Sequence, residues 1–168
     1  MRVPEHDNRV RNVCDVCDTV HYVNPKIVAG CIPEYDGKIL LCRRGIEPRY
    51  GCWTLPAGFM EMGESTVEAA VRETWEEAMA AVEIRALFAL FSIPHISQVY
   101  TMFRARLSGN EYRPGPESLE VALFGEEEIP WSTLAFPVIH RTMKCYFADK
   151  HNGGFQVHVG DIRESLRK

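Results

Sequence analysis

The run Gly58-Phe59-Met60-Glu61-Met62-Gly63-Glu64, followed at once by a helix-forming stretch with Arg72-Glu73-Thr74-Trp75-Glu76-Glu77, constrains this chain more than any other feature. Read as a helix from about Ser65 to Ala80, the stretch sets Glu73 one turn before Glu76 and Glu77, so the three side chains converge. Ser65 is placed to cap the helix, with Glu68 in capping-box position. Val67, Ala70, Val71, Thr74 and Ala78 form the stripe expected to face a core. A glycine loop against three carboxylates is a place to hold a divalent metal beside a diphosphate, because carboxylate oxygens suit hard cations such as Mg²⁺ or Mn²⁺.

The surroundings of this segment are strand-like. Ile27 to Ile32 and Lys38 to Cys42 flank Tyr35-Asp36-Gly37, an Asp-Gly hairpin signal. Trp53 to Leu55 is a short extended piece, and Ala86 to Ser92 and Gln98 to Leu107 are further strands joined by a turn at Ile93-Pro94-His95. In the last of these, Val99, Thr101, Phe103, Ala105 and Leu107 alternate with Gln98, Tyr100, Met102, Arg104 and Arg106. Gly109 to Pro116 is a loop, Leu119 to Phe124 a strand, and a second helix runs from Pro137 to about Ala148. The organisation expected is an arm over residues 1–26, an α/β catalytic domain over 27–150, and a polar tail over 151–168.

A chain of 168 residues that is 46% hydrophobic supports one domain with a substantial core. Its net charge of -4 argues against a nucleic-acid surface, which needs concentrated Lys and Arg. No run approaches the roughly 18 apolar residues of a membrane span, and the polar start lacks a signal-peptide core, so a cytoplasmic protein is expected. Cys31, Cys42, Cys52 and Cys145 are dispersed and are expected to be reduced.

Gly58, five residues, Glu64, seven residues, then Arg72-Glu73-Thr74-Trp75-Glu76-Glu77 resembles the signature of the Nudix hydrolases. The resemblance implies an α/β/α sandwich around a mixed sheet, and metal-dependent hydrolysis of a small molecule linked to a nucleoside diphosphate. It also implies that Glu73, Glu76 and Glu77 bind metal, with the carbonyl of Ala57 as a further ligand. Arg72 and Glu64 match the pair that braces the loop beside Gly58. Thr74 departs from the pattern by replacing an apolar residue. Met79 replaces a glycine, so either the helix continues about one more residue or Met79 turns left-handed. A diphosphate repels an incoming hydroxide, so a base is needed as well as cations. The candidates are the three glutamates of the motif and, from a distant loop, Glu117 and Glu120.

His21 to Lys26, Glu47 to Gly51, Trp53 to Met60 and Pro94 to Tyr100 are similar to a Nudix branch of ADP-ribose and FAD pyrophosphatases. On that resemblance Tyr22, Tyr50, Phe59 and Tyr100 are candidates to stack on an adenine or flavin ring, and Arg49 to contact phosphate. ADP-ribose would give AMP and ribose 5-phosphate, and FAD would give AMP and FMN. NADH, dinucleoside polyphosphates and nucleoside triphosphates are alternative substrates, and a catalytically idle binding module is the alternative of another class. In the resembling branch, Cys14 and Cys17 belong to the second half of a zinc ribbon whose first cysteine pair lies upstream. With His6 or His21 they make an incomplete tetrahedral set, so structural zinc is not expected. The branch is usually dimeric, and a homodimer is expected, with the arm through Tyr22 and with Trp131, Phe136, Tyr146 and Phe147 as interface material.

Overall fold

The computed structural model describes residues 1–163. Before the main sheet, β1 (Asn12–Val13) and β2 (Val20–His21) pair antiparallel. The turn between them holds Cys14 and Cys17 and is closed by Asp18 N donating to Cys14 O. Next come β3 (Lys26–Tyr35) and β4 (Lys38–Arg44), joined at the expected hairpin. Asp36 and Gly37 take φ of 48° and 76°, the pair of positive values that a two-residue turn between twisted strands requires.

The chain continues through β5 (Trp53–Thr54), β6 (Ala57–Phe59), α1 (Thr66–Ala78), β7 (Val82–Ile93), β8 (Gln98–Leu107), β9 (Ser118–Phe124) and α2 (Pro137–His151). The segment after residue 151, whose order the sequence leaves open, contributes β10 (His158–Asp161). The sheet runs β10-β7-β8-β3-β4-β5, with β6 also paired to β3 and β9 to β4. β3 lies parallel to β8 and β10 parallel to β7; the other pairs are antiparallel. Ala69 and Ala70 of α1 cluster with Ala29, Cys31, Phe103 and Ala105 on one face. Val138, Ile139, Met143 and Tyr146 of α2 cluster with Val28, Ile32, Phe88 and Met102 on the other. The result is the α/β/α sandwich around a mixed sheet.

Covering both faces explains where simple patterning misleads. Tyr100 and Met102 alternate with Thr101 and Phe103, yet all four are buried, because α2 covers the face that a one-sided sheet would leave to water. On α1 the buried residues are Ala69, Ala70, Thr74, Glu77 and Ala78. Val67 and Val71, expected inward, are instead 40% and 37% exposed. Small side chains let the helix lie close to the sheet, and that rotation carries the Glu77 carboxylate inward. Thr74 is accommodated by donating its hydroxyl to Ala70 O at 2.7 Å. Met79 ends the helix with φ 48°, the left-handed alternative, and its N–H bonds to Trp75 O.

Two of the aromatic residues near α2 are core material and two are partly buried. Tyr146 and Phe147 are buried, Trp131 and Phe136 pack against the same cluster, and Tyr146 meets Phe147 edge-on at 5.3 Å. Each buried large apolar side chain contributes about 1.5–3 kcal/mol through its removal from water. Tyr146 and Phe147 are taken up by this core, while Trp131 and Phe136 stay partly exposed.

Candidate active site

The glycine loop and α1 are joined by a capping box. Ser65 Oγ accepts from Glu68 N at 3.2 Å, and Glu68 Oε2 accepts from Ser65 N at 2.7 Å, so the helix starts at a fixed point after Glu64. Arg72, two turns along, reaches back across the loop. Its Nε and Nη2 donate to the two oxygens of Glu64 at 3.0 and 2.7 Å, and Nη2 also donates to Phe59 O at 3.0 Å. Glu64 Oε1 accepts from Glu61 N as well. Arg72, and then the Glu61 N–H, hold the Glu64 carboxyl down at about 2. This is the brace expected from the sequence, in the two-pronged form that only a guanidinium provides.

The other side of Arg72 faces the carboxylates: Nη1 donates to Glu73 at 2.8 Å and to Glu76 at 2.9 Å. Gly58 sits so close to Glu73 that the Glu73 carboxylate fills the space a side chain would take. Glu77 is buried and accepts from Ala57 N at 3.2 Å. Burial pushes its carboxyl up to about 8; the Ala57 N–H and Arg44 oppose that rise, while Glu73 and Glu117 add to it. Burial likewise raises Glu73, against the pull of Arg72.

Among the described residues no three His, Cys, Asp or Glu side chains stand as a ready-made metal cage, because Arg72 bonds both Glu73 and Glu76. The donor set nevertheless suits a hard divalent cation. Glu73, Glu76, Glu77 and Glu117 line one cavity, and a buried carboxylate next to others is stabilised by a cation. For zinc, Cys14 and Cys17 belong to no group of three or more His, Cys, Asp or Glu side chains placed to hold a metal ion among the described residues.

That cavity, of about 980 Å³, also separates the sequence candidates. Arg49, Phe59 and Tyr100 line it with Ala57, Gly58 and Arg72. Glu120, Tyr22 and Tyr50 are not among its lining residues. Glu120 lies opposite Arg43 across β4 and β9 and pairs with it at 3.5 Å, and Tyr22 lies under Arg11. Glu117 is carried in by the main chain. Arg113 N donates to Ala78 O, Gly115 N to Glu77 O and Gly45 N to Glu117 O, at 2.9, 3.0 and 2.7 Å. Gly115 has no room for a side chain, because the Glu76 carbonyl occupies it.

The cavity also holds Arg44, Trp75, His95 and Phe136, which sequence reasoning missed. Arg44 is the most informative. Its Nε donates to Pro48 O at 2.9 Å and its guanidinium lies over Phe136 at 5.2 Å, which fixes a positive charge in the pocket wall. Alternation along β4 could not have found it, because Ile39, Leu40, Leu41 and Cys42 are all buried and two-residue steps lead equally to Arg43 and Arg44.

The NUDIX domain family model matches residues 24–145, and the Nudix N-terminal zinc-ribbon model matches residues 1–23. A crystal structure of a NUDIX hydrolase from Nitrosomonas europaea is 55% identical, with a TM-score of 0.94 over 97% of this chain and 93% of that one. An ADP-ribose pyrophosphatase of Methanocaldococcus jannaschii is 34% identical over 121 residues, 68% of this chain and 69% of the relative. An ADP-ribose pyrophosphatase structure from Streptococcus suis shares the fold, with a TM-score of 0.63 and 20% identity over 81% of this chain and 99% of that one.

Proposed function

The chain belongs to the Nudix family and is a pyrophosphohydrolase, and from that premise we propose that it cleaves the diphosphate of ADP-ribose to AMP and ribose 5-phosphate. One observation carries the reading: a single cavity holds the acidic cluster Glu73, Glu76, Glu77 and Glu117 together with Arg44, Arg49 and an apolar wall that includes Phe59, Ile96 and Phe136. The similarity to the Methanocaldococcus jannaschii relative supports the same substrate.

In this reading Glu73, Glu76 and Glu77, with the Ala57 carbonyl, hold Mg²⁺ or Mn²⁺. Bound there, the cation neutralises diphosphate charge and activates water. Arg44 and Arg49 bind and orient the diphosphate, and their fixed charge stabilises the leaving phosphate. Glu117 is the acceptor for the water's proton, since it reaches the cavity from outside the helix whereas Glu120 stays with Arg43. Phe59 and Tyr100 flank the adenosine.

FAD is the second reading, because it shares the adenosine diphosphate half and the cavity is large enough for a bulkier partner. A product-resolved assay against ADP-ribose, FAD, NADH, diadenosine polyphosphates and nucleoside triphosphates, with Mg²⁺ and with Mn²⁺, tests both. Highest kcat/KM on ADP-ribose is expected. Greater efficiency on nucleoside triphosphates overturns the substrate, and no turnover with any of them favours an idle binding module. For the homodimer, support comes from the arm, where Tyr22 and Val23 are exposed, and from the partly exposed Trp131 and Phe136; light scattering should return twice 19.1 kDa.

A further inference from the structure

We propose that the chain carries a second anion site, for a small phosphomonoester, at the end of the sheet opposite the active-site cavity. It lies where β3 and β8 end side by side and β7 begins. There a cavity of about 470 Å³ is lined by Glu34, Tyr35, Asp36, Arg85, Arg104 and Arg106. None of these residues lines the active-site cavity.

The topology builds the cluster. The parallel register of β3 and β8 pairs Ile32 with Arg104 and Glu34 with Arg106, so the two arginines share one sheet face. The β7–β8 pairing shifts register between Ile84 and Ala86, which makes Arg85 the extra residue of a bulge. Bulges re-aim side chains, and this one adds a third guanidinium from the neighbouring strand.

Arg104 is the anchor. Its guanidinium lies over the Phe155 ring, 3.3 Å from the centroid, which holds it in place at the cavity wall. Its Nε is buried without a hydrogen-bond partner among the described residues, an unfavourable state. Arg85 pairs with Glu83 at 3.2 Å, and among the described residues no ion pair includes Arg104 or Arg106. That pair is exposed on both sides and opens at little cost.

Two carboxylates share the cavity, and one of them is already engaged, since Glu34 accepts the Tyr146 hydroxyl at 2.6 Å. Within the lining three guanidiniums face two carboxylates, Glu34 and Asp36, and Glu83, outside the lining, neutralises Arg85 until that exposed pair opens. Guanidiniums arriving from two strands suit a tetrahedral group with three free oxygens better than a planar carboxylate with two. The volume exceeds that of a bare phosphate and falls within the range of small-molecule pockets, which leaves room for a sugar.

The test follows ¹H–¹⁵N spectra of the full chain as inorganic phosphate, ribose 5-phosphate or acetate is added at constant ionic strength. Saturable shifts at the amides of Tyr35, Arg85, Ala105 and Arg106 are expected with both phosphates and not with acetate. Arg106→Gln, at an exposed position, should weaken those shifts at least ~10-fold in apparent Kd while shifts at Gly58 and Glu73 stay as in the parent. Phosphate shifts confined to the active-site cavity overturn the proposal. So does an equal response to acetate, or a far-end response unchanged in Arg106→Gln.

Discussion

The carboxylate of Glu73 occupies the space in which Gly58 would carry a side chain. The glycine is therefore a condition for where a carboxylate sits, and its backbone φ is not among the positive ones. Gly58→Ala should displace Glu73 and cut kcat on ADP-ribose by about 10- to 100-fold, since misplacement by about 1 Å can cost that much. Circular dichroism should show the fold retained. Wild-type turnover in a folded variant contradicts the account.

Glu77→Gln removes charge but little volume from the most buried of the clustered carboxylates. Turnover should fall at least about 100-fold at saturating Mg²⁺. In chelator the thermal midpoint should equal or exceed that of wild type, because burial already disfavours the ionised form. Measuring both quantities on one preparation separates loss of chemistry from loss of fold.

The brace between Arg72 and Glu64 has a pH signature. Arg72 chiefly, and the Glu61 N–H next, hold the Glu64 carboxyl at about 2 against an ordinary 4.5. A carboxyl lowered on folding stabilises the native state above its unfolded value and loses that contribution as pH falls through the folded one. The stability advantage of wild type over Glu64→Gln should be complete above pH 4.5 and disappear as pH falls through about 2. Urea midpoints across that window check it; an advantage that grows towards acid is the wrong sign.

Met79 spends its left-handed φ of 48° at the end of α1, where glycine carries no steric cost. Met79→Gly should therefore raise stability by about 1 kcal/mol, reduced by loss of the contact from Arg113 Nε to Met79 Sδ at 3.2 Å. Denaturant unfolding with an unchanged m-value would measure the gain, and a net loss would mean that the sulfur contact outweighs the strain.

What could be read in the sequence is what depends on local spacing. Ser65 with Glu68 and Asp36 with Gly37 act over a few residues, and each forms as its spacing implies; Arg72 with Glu64, expected from the family resemblance, forms as well. What depends on a second covering layer was less legible. Val71 and Tyr146 are apolar or aromatic at helical positions, and only the other side of the sheet decides that the first is exposed and the second buried. The cavity extends the same lesson: Glu117 and Glu120 are three positions apart, and a backbone register sends one to the site and the other to Arg43.

The loop that delivers Glu117 is fastened by peptide groups: Gly115 to the end of α1, and Glu117 itself to Gly45. Its position is thus set by two backbones, with Tyr112 packed on the core beside Ala78 and the exposed residues 109–111 playing no part. Substitution can reshape residues 109–111 while the acid they lead to keeps its place. A lineage that retains Gly115 and Tyr112 can vary those three exposed residues without relearning how to break a phosphoanhydride.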